Sequence, residues 1–584
     1  MAEDRGPWAS SLHALVVAPA AVAFGVRNSQ QTNETAPAGV EERLSRLEAQ
    51  YPPRNLPEGA EVSRVAPSPT GKPHIGTALQ AVIDYALASR TNGVFILRVE
   101  DTDRERLVPG AMQEIIAALD WLGVPAHEGP PGNGSYGPYV ESERLPDYQI
   151  VAEWLVEHGG AYPCFCTPER LDEMRKQQMA KKLPTRYDRR CRDLTPRERQ
   201  EHLDSGERPV VRLAMPLDGV KVYHDPVRGP IEFELSEQDD PVILKSDGYP
   251  TYHLAAMVDD HLMRVTTVVR GEEWISSTPK HLVLIEALGW QPPRIVHTPI
   301  LRDAQGRKLS KRSGDTSVSH YRSQGYPPEA FRNFLTRLVW VHPDDKDVYP
   351  YEDFIDGMRI EDLPKTGPFA NPALLDFISG EWLRTYDASM LYDALLDWLT
   401  WILGYYTSEG LEIEVVRKQD RIPVPLSRSQ LEAFYRTFME DREYSERVLS
   451  LEPERYHKLG DIVLDTPLYF KELFEPASAD MLIDVTQHDW VLARELLTEY
   501  RDWFRGDETT GQWEARMDEM WQRRQLKRGV PFMLVRVAIT GSTRTPPLHA
   551  VIDVLGPEEV KRRLDQALET LDVSASASEV TPGR

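Results

Sequence analysis

Apolar positions along this chain follow two different periods. Residues 62–66 form an apolar, strand-like run that gives way to the turn-rich PSPTG. Leu79, Val82, Ile83, Ala86 and Leu87 then recur at helical spacing, and Asn92-Gly93 is a stop signal. VFILRVE (94–100) is a buried-strand run that ends in charge. This succession predicts a β-α-β unit, the building block of parallel nucleotide-binding sheets. From 161 to about 236 the alternation is lost, which predicts an inserted domain, and strand-like and helical runs resume over 242–301. Beyond about Phe369 the spacing turns helical, as in Leu391, Leu395, Trp398 and Ile402 with Asp387 or Ser389 as caps. The carboxyl-terminal third is therefore expected to be all-α. No internal repeat or long low-complexity tract is visible.

Composition narrows the function classes. At 584 residues, 41% hydrophobic and 27% charged, the chain is long enough for about four domains and ordinary for a folded protein. The longest nearly apolar run, 14–26, is interrupted by Pro19 and too short to cross a bilayer. Cys164, Cys166 and Cys191 are the only cysteines, an odd number clustered in one stretch, which excludes a disulfide framework and suggests a reducing compartment. The net charge of −24 argues against coating nucleic acid through the overall field. Two local stretches run the other way. Residues 175–192 carry eight cations against Asp188 alone, and 521–536 carry five cations and no acid. Each is expected either to offer nucleic acid a local positive face or to be a solvated helix. Ahead of 61, the Ala-, Pro- and Ser-rich sequence has no acid from Arg5 to Asn33. It reads as a transit peptide or as a disordered extension, with Glu3, Asp4 and the scarcity of arginine against the former. The last dozen residues also read as a disordered tail.

Two segments carry chemistry. RVAPSPTGKPHIGTA places His74 and Gly76 where a strand has ended and a helix begins, so backbone N–H groups and the positive helix end face an anion. An isolated H-x-G would more often only turn the chain. About 230 residues on, GRKLSKRSGD puts Lys308 and Lys311 beside Ser310 in a loop suited to neutralise a polyphosphate. A solvated charge run would look similar, and it is the pairing of the two segments that favours phosphate chemistry.

Together the two segments resemble the signatures of a class I aminoacyl-tRNA synthetase: His74-Ile75-Gly76-Thr77 its His-Ile-Gly-His motif, and Lys308-Leu309-Ser310-Lys311-Arg312 its KMSKS loop. More narrowly the chain resembles the bacterial and organellar glutamyl-tRNA synthetases through SRVAPSPTGKPHIG, ILRVEDTDRER, GPYVESERL, SDGYPTYHLAAMVDDHLM and VVRGEEWISSTPKHLVLIEALGW. Weaker similarity continues through RVAITGSTRTPPL and LGPEEVKRRL. The resemblance implies an α/β Rossmann-type catalytic domain in two halves, 61–160 and 241–325, separated by an inserted α+β acceptor-stem-binding domain at 161–240. It implies a connecting helical segment at 326–390 and an all-α anticodon-binding region at 391–572, with 1–60 and 573–584 outside the folded part.

By the same resemblance, L-glutamate lies against Arg64, Ala66, Ser68, Glu100, Tyr252, Ala256 and Arg270. Arg64 holds its side-chain carboxylate and Glu100 its ammonium. Two carboxylates and one ammonium call for guanidinium forks and an acid, which Arg64, Arg270 and Glu100 supply. ATP with Mg²⁺ is implied at His74, Gly76, Glu273, Lys308, Leu309, Ser310, Lys311 and Arg312, with His74, Lys308 and Lys311 catalytic. Ala256 departs from relatives that carry a polar residue there. Cys164, Cys166 and Cys191 resemble a structural zinc site whose fourth ligand would be Tyr187 or Asp193, packed reduced thiols being the alternative. The implied partners are tRNA-Glu and, as an organellar trait, tRNA-Gln. A monomer without membrane contact is expected, in the mitochondrial matrix or else the cytoplasm. Three rivals are weaker: a glutaminyl-tRNA synthetase, expected to carry β-barrels where this chain reads as helical; a short queuosine-modifying paralogue, which lacks the anticodon region for which this chain has about 200 residues; and a non-catalytic tRNA-binding paralogue, expected to have lost His74, Lys311, Arg64 or Arg270, all of which are present.

Overall fold

A computed structural model describes residues 39–132, 134–309, 316–409, 413–416 and 423–579. Residues 1–38 of the stretch 1–60 expected as a transit peptide or disordered extension, and Ser310, Lys311 and Arg312 of the KMSKS loop, lie outside the described residues. The chain divides into two compact units, one running to 302 and including 354–368, the other comprising 303–353 and the residues from 369 onward.

In the first unit, strand β1 (Val62–Val65) leads through helix α2 (Ile75–Arg90) to β2 (Val94–Leu97), and the two strands pair in parallel. The expected β-α-β unit is present. Its tight return has a steric cause. Asn92 takes a left-handed backbone, φ 52°, and a Cβ on Gly93 would lie 1.9 Å from the Glu61 carbonyl oxygen. An inserted region supplies β3 (Ala161–Cys164), β4 (Val210–Leu213), β5 (Val220–Asp225), β6 (Gly229–Glu234) and β7 (Val242–Leu244). β3, β4 and β7 form an antiparallel sheet, and β5 and β6 a hairpin. The chain then re-enters the parallel sheet with β8 (Thr267–Gly271) and β9 (Arg294–Thr298), giving the order β2-β1-β8-β9. Connections leave β1 and β8 in opposite directions, so a crevice opens between their carboxyl ends. That is where open parallel sheets bind ligands.

The insertion is tied to its host. Tyr223 on β5 accepts a hydrogen bond from the Ile295 N–H and donates one to the Ile295 carbonyl, at 2.7 and 2.6 Å. Two residues on, Asp225 meets His297 of β9 at 2.6 Å.

Three expectations are corrected. Residues 39–60 are not a disordered extension: α1 (Val40–Ala49) buries Val40, Leu44 and Leu47 and belongs to the same core as Val62 and Ile96. Apolar spacing at i, i+4 and i+7 carries this helix. At the other end, helix Pro557–Glu579 runs through 573–579, where a tail was expected. In the second unit helices dominate, with Asp387 capping Ala388–Glu409 through the Met390 N–H at 2.8 Å. They are interrupted by a hairpin of β10 (Ile413–Val416) and β11 (Pro423–Leu426). The two prolines in PVPL are tolerated because this hairpin is only two strands wide.

Candidate active site

Each strand that ends at the crevice delivers one residue expected there. Arg64 sits on β1, Glu100 three residues past β2, and Arg270 on β8, while Tyr252 opens helix Tyr252–Leu262. Tyr252 feels the charges of Arg270, Glu100 and Arg64 together, and burial raises its pKa. The Tyr252 ring packs on Trp274 with centroids 4.3 Å apart.

The two arginines are held by different means. Arg64 is buried, and its Nε donates to Asp260 Oδ1 at 3.1 Å, an oxygen that also accepts from Arg98 at 2.7 Å. Burial opposes the Arg64 charge most strongly, but Asp260, with Tyr252 and Asp84, together outweighs it and the pKa is raised. Arg98, fully buried, also meets Glu100 at 3.3 Å and Asp259 at 3.8 Å. Burial nonetheless raises the Glu100 pKa.

Arg270 is surrounded by neutral acceptors. Its Nε donates to His297 Nε2 at 3.0 Å, Nη1 meets His281 Nδ1 at 2.9 Å, and Nη2 donates to Thr278 Oγ1 at 2.8 Å. These bonds assign the tautomers. His297 carries its proton on Nδ1, toward Asp225, and His281 carries its own on Nε2, toward His253 Nδ1 at 3.1 Å. Burial lowers the pKa of His281, His297 and His253, the last to about 4, and also that of Arg270. A guanidinium ringed by neutral groups is suited to an anionic ligand.

His74 is the N-cap of α2, and its Nδ1 accepts the Gly76 N–H at 3.0 Å. The neutral ring then carries its proton on Nε2, a donor fit for a phosphate oxygen at a helix amino end. Gly76 stands in the first turn of α2, Ala66 and Ser68 on the segment leaving β1, and Glu273 in the turn Glu272–Ser277 after β8. Ala256 is fully buried and offers no side-chain polar atom. Lys308, exposed, and Leu309 belong to the second unit, behind a turn in which Asp303 accepts from the Gln305 and Arg307 N–H groups, each at 2.9 Å.

In the insertion, the sulfurs of Cys164, Cys166 and Cys191 lie within 4.8 Å of one another. The Tyr187 hydroxyl lies 3.3 Å from Cys164 Sγ and 3.5 Å from Cys166 Sγ. Asp193 is exposed and outside this group. The Cys164 thiol is pushed down to about 4, chiefly by the hydrogen bond from Cys191, whose own proton is correspondingly harder to remove.

The basic stretches diverge. In 175–192, Lys176, Lys181, Lys182 and Arg190 are exposed, whereas Arg189 and Arg192 turn inward to Asp240 at 3.1 and 3.3 Å. In 521–536, Arg524 pairs with Glu495 and Glu499, Arg523 with Glu499 and Arg528 with Asp518. The expected positive face there is largely neutralised, because acids from two helices supply what the stretch itself lacks.

Residues 61–376 match the family described as tRNA synthetases class I (E and Q), catalytic domain, and 426–568 match an anticodon binding domain. The chain belongs to this class I synthetase family. It is 52% identical over 525 residues to the glutamate–tRNA ligase of Gloeobacter violaceus, covering 90% of this chain and 98% of that relative. It is 39% identical over 509 residues to that of Thermus thermophilus, covering 87% and 99%. The crystal structure of a glutamate tRNA ligase from Elizabethkingia meningosepticum, in complex with its amino acid, superposes with a TM-score of 0.72 at 29% identity, over 88% of this chain and 99% of that one. A class I synthetase catalytic fold followed by a helical anticodon-binding region is therefore the architecture. What sequence reasoning missed is the support: Asp259 and Asp260, Arg98, and the three histidines. The adjacent carboxylates of VDDH inside an otherwise apolar helix were the one available signal.

Proposed function

We propose that the chain is a glutamate–tRNA ligase, which joins L-glutamate to ATP as glutamyl-adenylate and transfers it to the 3′ end of tRNA-Glu. The observation that carries this reading is the meeting of Arg64, Glu100, Tyr252 and Arg270 at the carboxyl ends of β1, β2 and β8. That set matches two carboxylates and one ammonium. In the first step an oxygen of the glutamate α-carboxylate bonds to the α-phosphorus of ATP and pyrophosphate leaves. No proton need move, so the rate comes from in-line positioning and from cations and N–H donors facing the phosphates. His74 and the first turn of α2 are assigned to this task, with Lys308 and Lys311. In the second step the terminal ribose 2′-OH attacks the acyl carbon, loses its proton and expels AMP. Mg²⁺ would enter with the triphosphate and supply further positive charge at its phosphates.

ATP–pyrophosphate exchange tests the reading. Exchange that depends on glutamate, in the presence of tRNA-Glu, is expected, and exchange supported equally by glutamine would overturn it. Charging of tRNA-Gln transcripts under the same salt tests the wider tRNA range.

The exposed cations of 175–192 support the insertion as the tRNA acceptor-stem contact. The thiol cluster fits a structural zinc: the three sulfurs, with the Tyr187 oxygen as the fourth donor, would hold it and cross-link β3 to the loop after helix Pro168–Ala180. Metal analysis should find about one zinc per chain, lost in Cys191→Ser. Metal-free protein of full stability would leave the thiols as packing residues.

A further inference from the structure

Residues 39–60 lie ahead of both family matches, yet they are built into the wall behind the amino-acid site. Helix α1 packs Val40, Leu44 and Leu47 against helix Leu145–Glu157. Glu48 accepts from the Trp290 indole at 2.8 Å, and Trp290 stacks on His261 at 3.8 Å. The Tyr51 carbonyl accepts from Arg264, and Arg54 meets Glu128 through both Nη atoms at 2.7 and 2.9 Å beneath the Tyr136 ring. Arg54 Nε also donates to the Met263 carbonyl at 2.9 Å, and Tyr51 reaches the buried charges. Its hydroxyl accepts from Arg144 Nη1 at 3.2 Å.

Arg144 is fully buried and begins a line of alternating charge. Its Nε donates to Asp259 Oδ1 at 2.7 Å, Tyr148 donates to Asp259 Oδ2 at 2.8 Å, and Arg98 lies 3.8 Å from that second oxygen. Arg98 in turn holds Asp260 and Glu100, and Asp260 holds Arg64. In so dry a setting each member fixes the position of the next, because a displaced charge leaves its neighbour without a counterion.

We infer that the segment 39–60 is part of the amino-acid site, with Tyr51 a positioning residue that fixes Arg144 and through it the carboxylates holding Arg64. The inference rests on the glutamate reading and extends it to a stretch outside the family matches.

Two full-length variants test it. Leu44→Asp with Leu47→Asp undocks α1, and Tyr51→Phe removes one hydroxyl while keeping the ring. The undocked variant should raise the glutamate KM about tenfold or more while the ATP KM stays within about twofold. Tyr51→Phe should raise it about threefold to tenfold in the same direction, with the ATP KM again within about twofold. A glutamate KM at the wild-type value in Tyr51→Phe would overturn the inference, as would parallel rises in both KM values. If the undocked variant does not fold, Tyr51→Phe decides alone. A wild-type chain that fails to activate glutamate is a separate outcome, seen before any variant is made, and it removes the functional reading together with this extension of it.

Discussion

The crevice has two walls that solve one problem differently. On the β1 and β2 side, Arg64 and Arg98 share Asp260, so buried positive charge is matched inside the protein. On the β8 side, Arg270 is fixed by His297, His281 and Thr278, all neutral. The first wall has rigid, compensated charge, and the second has rigid charge left for a ligand. Position and neutralisation of an arginine are thus separable, and an active site can use one without the other.

Asp260→Asn breaks the contrast most severely. Two buried guanidinium groups then share a neutral amide, and about 3–5 kcal/mol of stability should be lost in chemical denaturation. A loss below about 1 kcal/mol would show that the wall is not held by charge. Arg64→Gln should weaken glutamate kcat/KM by about 2–5 kcal/mol, with some stability lost because Asp260 keeps only Arg98. Steady-state kinetics beside thermal unfolding would register both effects. For Arg270→Lys glutamate kcat/KM should fall by about 2–3 kcal/mol and the stability loss should be smaller than in Arg64→Gln, about 1–2 kcal/mol, since the groups left behind are uncharged. Equal stability losses for Arg64→Gln and Arg270→Lys would erase the distinction.

Acidification gives the smallest and sharpest test. The imidazoles of the β8 wall are neutral when folded and hold pKa values below 6.5, whereas unfolded histidines take up protons near that value. Their contribution is complete above about pH 6.5 and is lost as pH falls below it, that of His253 as pH approaches 4. Asp260 is held below its usual 3.8 by Arg64 and Arg98, despite burial, so its contribution persists until pH falls below 3.8. Denaturation midpoints taken at pH 7.5, 5.5 and 4.5 should therefore fall steadily in the wild type and less steeply in His253→Asn. Identical slopes would remove the histidines from the account.

The local periods of the chain were legible, and so were the groups that stand at strand ends. β1, α2 and β2 follow from apolar spacing, and Arg64, Glu100, Tyr252 and Arg270 stand where family strings place them. What spacing cannot express is partnership across the fold. Arg64 and Asp260 are 196 residues apart, and the acids that neutralise Arg523 and Arg524 lie on another helix. Composition misled at the amino end, where an Ala- and Pro-rich lead hid Val40, Leu44 and Leu47. It also gave no warning of a hairpin whose second strand is half proline.

An insertion is ordinarily thought of as a portable module, bounded by the points where the chain leaves and re-enters its host. β5 contradicts that picture. Excising the insertion would strip both backbone groups of Ile295 of the Tyr223 hydroxyl, and His297 of the carboxylate that dictates its tautomer. The seam between host and guest therefore runs through the face of β5 that meets β9, and a transplanted or shortened insertion would have to bring a tyrosine and an aspartate at that same spacing to leave the host pocket intact.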